Sequence, residues 1–489
     1  MADFREKRRE SGVCRGHRGA VATAHPAASA AAARLLAEGG SAVDAAIAAQ
    51  AAISVVLPQA AGLGGDVLAL VHQAGAVEAV NGTGRSPRKL AGTPESTGGS
   101  SVTVPGVVDG WLTLHARWGR LPLPTVLGPA VALAESGFAV DDDLAVAVDT
   151  QRTRLHAGGA SEWDLLTGAA SGPRHWRQPQ LAHLLSDIGE NGRAAFYSGA
   201  AAQAMVNAIQ SHSGALELDD LAEHKTLCPP PVAVPWNGGT VFVQPPASQG
   251  VLLAMALQKV TALYNDGQAA DAHALVELTT AAFAHRSDCA AGAALLSVPL
   301  HIDLRHASRR RGPRAYLHTA GVAVADSDGQ VVSSLISVFD DFGSGVFVPE
   351  LGIVLNNRAA GFTDGANAAA PGKRPVHTLA PAMVLGPRGV TALATPGADG
   401  QVQTLLQVLL APTDSLGDAV SALRWRSQDG ELLMEEGHPA TDELAARGHH
   451  VVTLPPGEDL FGAVVAAGVD PEPFAVADWR RQTHSTGVS

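Results

Sequence analysis

The chain has 489 residues, 46% hydrophobic and 17% charged, enough apolar sequence for a large core and too much for a disordered protein. A formal net charge of −13 argues against nucleic acid as a partner, and the two dense basic stretches, residues 5–9 and 309–314, read as solvated arms. Three cysteines without a Cys-x-x-Cys indicate reduced thiols, and 19 histidines without a His-Glu-x-x-His give no metal motif, with His449-His450 read as a surface pair.

Residues 1–20 are polar and expected to form a flexible tail. They hold no apolar stretch of the secretory kind, so the expected location is cytoplasmic. A strand is expected from Gly19, then a helix over 27–38 stopped by Gly39-Gly40. Ser41 is a good N-cap for a second helix, with Asp44 completing a pair like a capping box. Both helices are almost entirely Ala, Ile, Leu and Val, so they should be buried nearly all round, as a layer on a sheet. The longest apolar run, 43–57, is interrupted by Asp44, Gln50 and Ser54 and is too short to span a bilayer.

The glycine loop Ala61-Gly-Leu-Gly-Gly65-Asp66 precedes an apolar strand over 67–72 and permits close backbone approach. It is not a dinucleotide fingerprint, because the glycine order differs and a strand follows where a helix is needed. Gly-x-Ser-x-Gly and the P-loop pattern are absent. A helical run is expected from Val104-Pro-Gly106 to about 139. Residues 141–300 read as mostly helical, with loops at 229–231 and 245–250. Residues 300–318 read as an exposed linker, and a strand-rich half follows. The expected parts are thus 1–20, 21–318 and 319–489.

The first strands after the linker form a hairpin about Asp326-Ser-Asp-Gly329. A turn centred on Asp328 sets Thr319 opposite Ser337, and a two-residue turn at Asp328-Gly329 shifts the pairing by one; directly opposed side chains approach to about 5 Å. If the chain is cut between His318 and Thr319, the threonine gains a free α-amine beside its hydroxyl. Such an amine can serve as the base the hydroxyl needs. Ser337 could orient the hydroxyl, and Thr395-Pro-Gly397-Ala398 before an apolar helix offers backbone N–H groups as an oxyanion hole. Threonine at a strand start and Pro-Gly at a helix start are also ordinary features, so spacing alone leaves this open.

The motifs taken together resemble the γ-glutamyltranspeptidase family of N-terminal nucleophile hydrolases over about residues 20–480. His25-Pro26, Gly39–Ala46, Gly62–Gly65, Phe196-Tyr197-Ser-Gly199, Ala282–Arg286, Gly352–Asn357, Pro371–Pro375 and Thr395-Pro-Gly397 fall in the family's order. The resemblance implies an α+β fold, the four-layer αββα sandwich. It implies self-cleavage between His318 and Thr319, with the two fragments remaining together as a heterodimer. Its nucleophile falls on Thr319, its supporting hydroxyl on Ser337 and its oxyanion pair on Gly397 and Ala398. It implies no metal and no organic cofactor.

The family's substrate clamp is altered. The arginine that holds the glutamyl carboxylate falls near Thr83, with Arg85 two positions on and expected on the same strand face. The acid that binds the amino group falls on Gly361, an asparagine contact on Phe339, and a serine pair on His377-Thr378. Arg358 is a further candidate for a carboxylate, or else a surface arginine in a loop. The expected function is a hydrolase or acyltransferase acting on a small carboxylated metabolite that is not an ordinary γ-glutamyl amide. Alternatives are a C–C bond hydrolase of an actinobacterial antibiotic pathway that works on a proline derivative, a cephalosporin-acylase-like amidase, and a non-catalytic remnant.

Overall fold

A computed structural model describes residues 11–167, 175–308 and 319–489. His318 and the basic stretches at 5–9 and 309–314 lie outside the described residues. Two antiparallel sheets form the centre. The six-stranded sheet runs in the order His484–Val488, Gly19–Thr23, Ala320–Asp326, Val331–Ser337, Asp66–Gln73, Ala76–Gly82. The seven-stranded sheet runs Val13–Arg15, Pro473–Ala477, Val465–Val469, Gly389–Ala394, Ala382–Gly386, Gly239–Val243, Val232–Trp236.

Strand alternation builds the layers. On Ala320–Asp326, Val322 and Val324 face the helices Pro26–Ala37 and Ala42–Val56, while Ala323 and Ala325 face the other sheet. Between the sheets, Leu68 and Leu335 pack with Met383, Ala392 and Val465. Gly250–Asn265, Ala272–Phe283 and Gly400–Leu409 cover the outer face of the seven-stranded sheet through Val243, Leu393 and Ala466. Helix, sheet, sheet and helix therefore stack as four layers. Every residue of Ala42–Val56 is buried, and Ser41 and Asp44 form a full capping box.

Three expectations change. Strand Val13–Arg15 pairs with Pro473–Ala477, so the expected tail is ordered from there. The stretch read as helical over 141–300 contains the hairpin Val232–Trp236 and Gly239–Val243, turned at Asn237-Gly238 with both residues at positive φ. Strands are not confined to the half after the linker, because each sheet takes strands from both sides of Thr319. Among the described residues no helix is long and apolar enough to cross a membrane.

Candidate active site

The hairpin has the register of a turn centred on Asp328: Ala325 pairs with Val331 and Ala320 with Ile336, which sets Thr319 against Ser337. Gly329 takes a positive φ of 78° in that turn. Thr319 Oγ1 donates to Ser337 Oγ at 3.4 Å, and both side chains are buried. Ser337 Oγ also accepts the Phe339 amide at 2.9 Å, which fixes its orientation. Ser337 pairs with Asp66 on its other side. Thr319, Ser337 and Asp66 thus occupy one end of three neighbouring strands, on the face that looks into the gap between the sheets. The glycine loop allows this closeness, because a Cβ on Gly65 would lie 2.3 Å from the Ser337 carbonyl oxygen.

Asp66 anchors a buried polar cluster. Its Oδ1 accepts the Gly84 amide at 2.9 Å, and its Oδ2 accepts Arg358 Nε and His377 Nε2, each at 3.2 Å. Burial alone would raise the Asp66 pKa, but His377, Arg358 and the Gly84 amide together hold it below the ordinary carboxylate value. His377 Nδ1 accepts the Leu379 amide at 3.1 Å, so the proton of the neutral ring sits on Nε2. Burial, helped by the nearby Arg358 charge, pushes the His377 pKa down to about 4. Burial likewise lowers Arg358 to about 10, against the opposing pull of Asp66.

Arg358 is therefore not a surface residue. Its guanidinium lies 4.2 Å over the Phe339 ring, and its Nη1 donates to Thr378 Oγ1 at 3.4 Å. Its Nη2 is buried and has no hydrogen-bond partner among the described residues. Phe339 takes a φ of 87°, a conformation costly for a bulky side chain and typical of functional sites. A Cβ on Gly361 would lie 3.9 Å from Phe339 Cζ, so the two positions at which the resemblance implies a changed clamp are neighbours.

The remaining candidates separate. Thr83 is buried, and its hydroxyl donates to Asn81 Oδ1 at 2.6 Å. Arg85 is exposed. The strand ends at Gly82, so Thr83 and Arg85 do not share a strand face as expected. Gly397 and Ala398 form the turn between strand Gly389–Ala394 and helix Gly400–Leu409, with φ of 115° and 46°. Gln249 Nε2 donates to the Ala398 carbonyl at 2.8 Å and to the Thr378 carbonyl at 2.6 Å, tying this turn to the Arg358 cluster. Arg286 Nε donates to Asp399 Oδ1 at 3.0 Å and steadies the turn from the other end.

Thr319 opens onto a cavity of about 260 Å³ that Pro396, the residue before Gly397, also lines. Asp143, Asp341, Asp459 and Arg481 stand on its wall. Burial raises the Asp143 pKa, and the Asp459 charge adds to this. The sequence reading missed Asp66, Gln249, Arg286 and Arg481. Asp66 carried a signal, since an acid opening an otherwise apolar strand must find partners. It also read His449 as a surface residue. In the structure His449 Nε2 lies 2.8 Å from Nδ1 of His273, on helix Ala272–Phe283.

A family model described as gamma-glutamyltranspeptidase matches residues 28–488. The glutathione hydrolase-like YwrD proenzyme of Bacillus subtilis is 32% identical, over 93% of this chain and 95% of its own length. The oxamate amidohydrolase proenzyme of Klebsiella pneumoniae is 32% identical, over 91% of this chain and 93% of its own. The crystal structure of cephalosporin acylase from Bacillus halodurans superposes with a TM-score of 0.84 at 27% identity, covering 98% of this chain and 97% of that one.

Proposed function

Since the chain belongs to the γ-glutamyltranspeptidase family and is an enzyme of the N-terminal nucleophile hydrolase or acyltransferase kind, we propose that it matures by cutting itself between His318 and Thr319 and then uses Thr319 as its nucleophile. The observation that carries this reading is the buried Thr319–Ser337 hydroxyl pair at the head of the hairpin strand. The proenzyme relatives support maturation into two fragments. Interleaving of both parts in both sheets supports their remaining together as a heterodimer.

After the cut, the Thr319 α-amine takes the proton from Oγ1 as Oγ1 attacks the substrate carbonyl. The Gly397 and Ala398 amides receive the negative oxygen of the tetrahedral intermediate. The α-ammonium then passes its proton to the leaving amine, the C–N bond breaks, and an ester to Thr319 remains. Water or an acceptor amine, deprotonated by the same α-amine, attacks the ester; the bond from the acyl carbon to Oγ1 breaks, and the α-ammonium returns its proton to Oγ1. Ser337 holds the Thr319 hydroxyl in line.

The substrate is a small carboxylated amide. Arg358 Nη2 supplies a buried donor for its carboxylate, and His377 and Thr378 position that guanidinium through Asp66 and directly. Asp66 already balances the Arg358 charge, so the carboxylate is held by hydrogen bonding more than by an unpaired cation. An acid is missing at Gly361 and Phe339 fills the neighbouring space, which disfavours an α-amino group there. Thr83 is committed to Asn81 and Arg85 is exposed, so neither replaces the lost arginine. The acid-lined cavity beside Thr319 suits the amine portion. The names acylase and amidohydrolase borne by relatives support amide cleavage.

The test is release of amine from two substrates by the mature enzyme: a chromogenic γ-glutamyl anilide and oxamate, a short carboxylated amide. Turnover of oxamate at a kcat/KM at least about 100-fold above the anilide is expected, the scale of a lost buried contact. Brisk anilide hydrolysis would overturn the substrate assignment.

A further inference from the structure

A second cluster of reactive side chains lies outside the hydroxyl site, at the seam between the two parts of the chain. His273 and Glu277 sit one turn apart on helix Ala272–Phe283, upstream of Thr319. His449 comes from the downstream part, just after helix Thr441–Ala446. One ligand atom from each of the three lies within 4.8 Å of the others. His273 and Glu277 are buried, and His449 is half-buried.

The hydrogen bonds around the cluster already orient it. His273 Nε2 lies 2.8 Å from the Asp303 carbonyl oxygen. A carbonyl only accepts, so the ring proton is on Nε2 and Nδ1 presents its lone pair to the cluster. Ring N–H to backbone carbonyl is the outer contact that fixes metal-bound histidines. Ser308 N donates to one Glu277 oxygen at 3.0 Å, leaving the second oxygen for another partner. Ala307 N donates to the Arg447 carbonyl at 2.9 Å, which lays the 303–308 loop against the segment that carries His449.

Glu277 poses the question of charge. Among the described residues it has no salt-bridge partner, because the nearby Arg447 pairs with Asp271 and Glu443. A buried carboxylate beside two imidazoles, with no cation paired to it among the described residues, is a donor set that suits a bound cation. A cavity of about 440 Å³ lined by Glu277, Ser308, His449 and His450 gives an ion and a water molecule access.

We propose that His273 Nδ1, His449 Nε2 and a Glu277 carboxylate oxygen bind a divalent transition-metal ion of the zinc type, fastening the upstream part of the chain to the downstream part. Two nitrogens and one oxygen with a water in the fourth position make a set that zinc accepts. The two ring nitrogens, now in hydrogen-bond contact, separate to about 3.3 Å on a tetrahedral ion, a movement of about half an ångström. His449 carries its proton on Nδ1 when bound, and no net proton is released if both rings start neutral. The ion has no part in the Thr319 chemistry, so it acts on how firmly the two fragments hold together.

The experiment uses the full mature protein, stripped with a chelator and dialysed, then titrated with zinc chloride against a competing chromogenic chelator. About one zinc per chain at sub-micromolar Kd is expected, with Glu277→Gln and His449→Ala each weakening that binding at least about tenfold. Zinc should also raise the melting temperature of the stripped wild type and leave that of His449→Ala unchanged. His450→Ala, an exposed neighbour, controls for loose binding by surface histidines and should bind as wild type does. Cobalt substitution gives a further readout, a strong visible band in wild type that His449→Ala lacks. The proposal is overturned if the stripped protein takes up no zinc at equimolar concentration, or if His449→Ala and Glu277→Gln bind as tightly as wild type. Either result would make the His273–His449 contact a plain hydrogen bond.

Discussion

Replacing Asp66 with asparagine keeps the size of the side chain but leaves a buried donor facing an amide NH₂. Three donors converge on the carboxylate, Gly84 N–H on one oxygen and Arg358 Nε and His377 Nε2 on the other. Asparagine has one acceptor oxygen, so at least one donor must lose its partner. His377 cannot adapt by moving its proton to Nδ1, because Nδ1 accepts the Leu379 amide. The larger loss is electrostatic, since Arg358 becomes a buried cation without its counter-charge. Breaking such a pair costs about 3–5 kcal/mol. At about 2.1 cal/mol/K per residue the unfolding entropy of 489 residues is about 1 kcal/mol/K, so the melting temperature should fall by about 3–5 °C. Scanning calorimetry of the mature protein at one fixed concentration reads this directly. Adding Arg358→Met to Asp66→Asn removes the stranded charge and should recover at least half of the loss. A single variant within about 1 °C of wild type, or a double variant that melts lower still, would refute the account of this cluster.

Acid should destabilise the protein through its buried neutral histidines. Burial holds both His377 and His224 down to about 4, while their unfolded value is 6.5. The unfolded chain therefore binds more protons below 6.5, and stability is lost as pH falls from 6.5 towards 4, by about 3 kcal/mol per histidine. The lowered Asp66 value acts in a separate window, with stability present above 3.8 and lost as pH falls through its folded value. Denaturant midpoints at pH 7, 5.5 and 4.5 should fall less steeply in His377→Gln, and parallel slopes would exclude this origin. At the proposed oxyanion turn, Gly397→Val places a branched side chain at a φ of 115° and should lower kcat by about 10²–10³-fold. Ala398→Gly keeps the N–H at a φ of 46° that glycine prefers, and should retain wild-type kcat. An equal loss in both variants would remove these amides from the mechanism.

The local devices were legible because they are written in neighbouring residues. Ser41 with Asp44 specified a capped helix, and Asp326-Ser-Asp-Gly329 specified a hairpin whose register brought Thr319 to Ser337. The hairpin at Asn237-Gly238 carried an equally good turn signal, yet it was hidden in a stretch read as helical. What stayed illegible depends on distant chain segments meeting. Arg358 finds Asp66 across 292 positions, and Gln249 finds Ala398 across 149. His449 finds His273 across 176 positions, and nothing in the spacing of either histidine announces the other.

The central claim is that Thr319 becomes a chain end, and terminal sequencing of the smaller fragment of the purified protein tests it most directly. The expected sequence is Thr-Ala-Gly-Val, from a fragment of about one-third of the chain. In Thr319→Ala the protein should instead remain a single uncut chain without activity. An active preparation that stays uncut, or whose small fragment begins at another residue, would contradict the account.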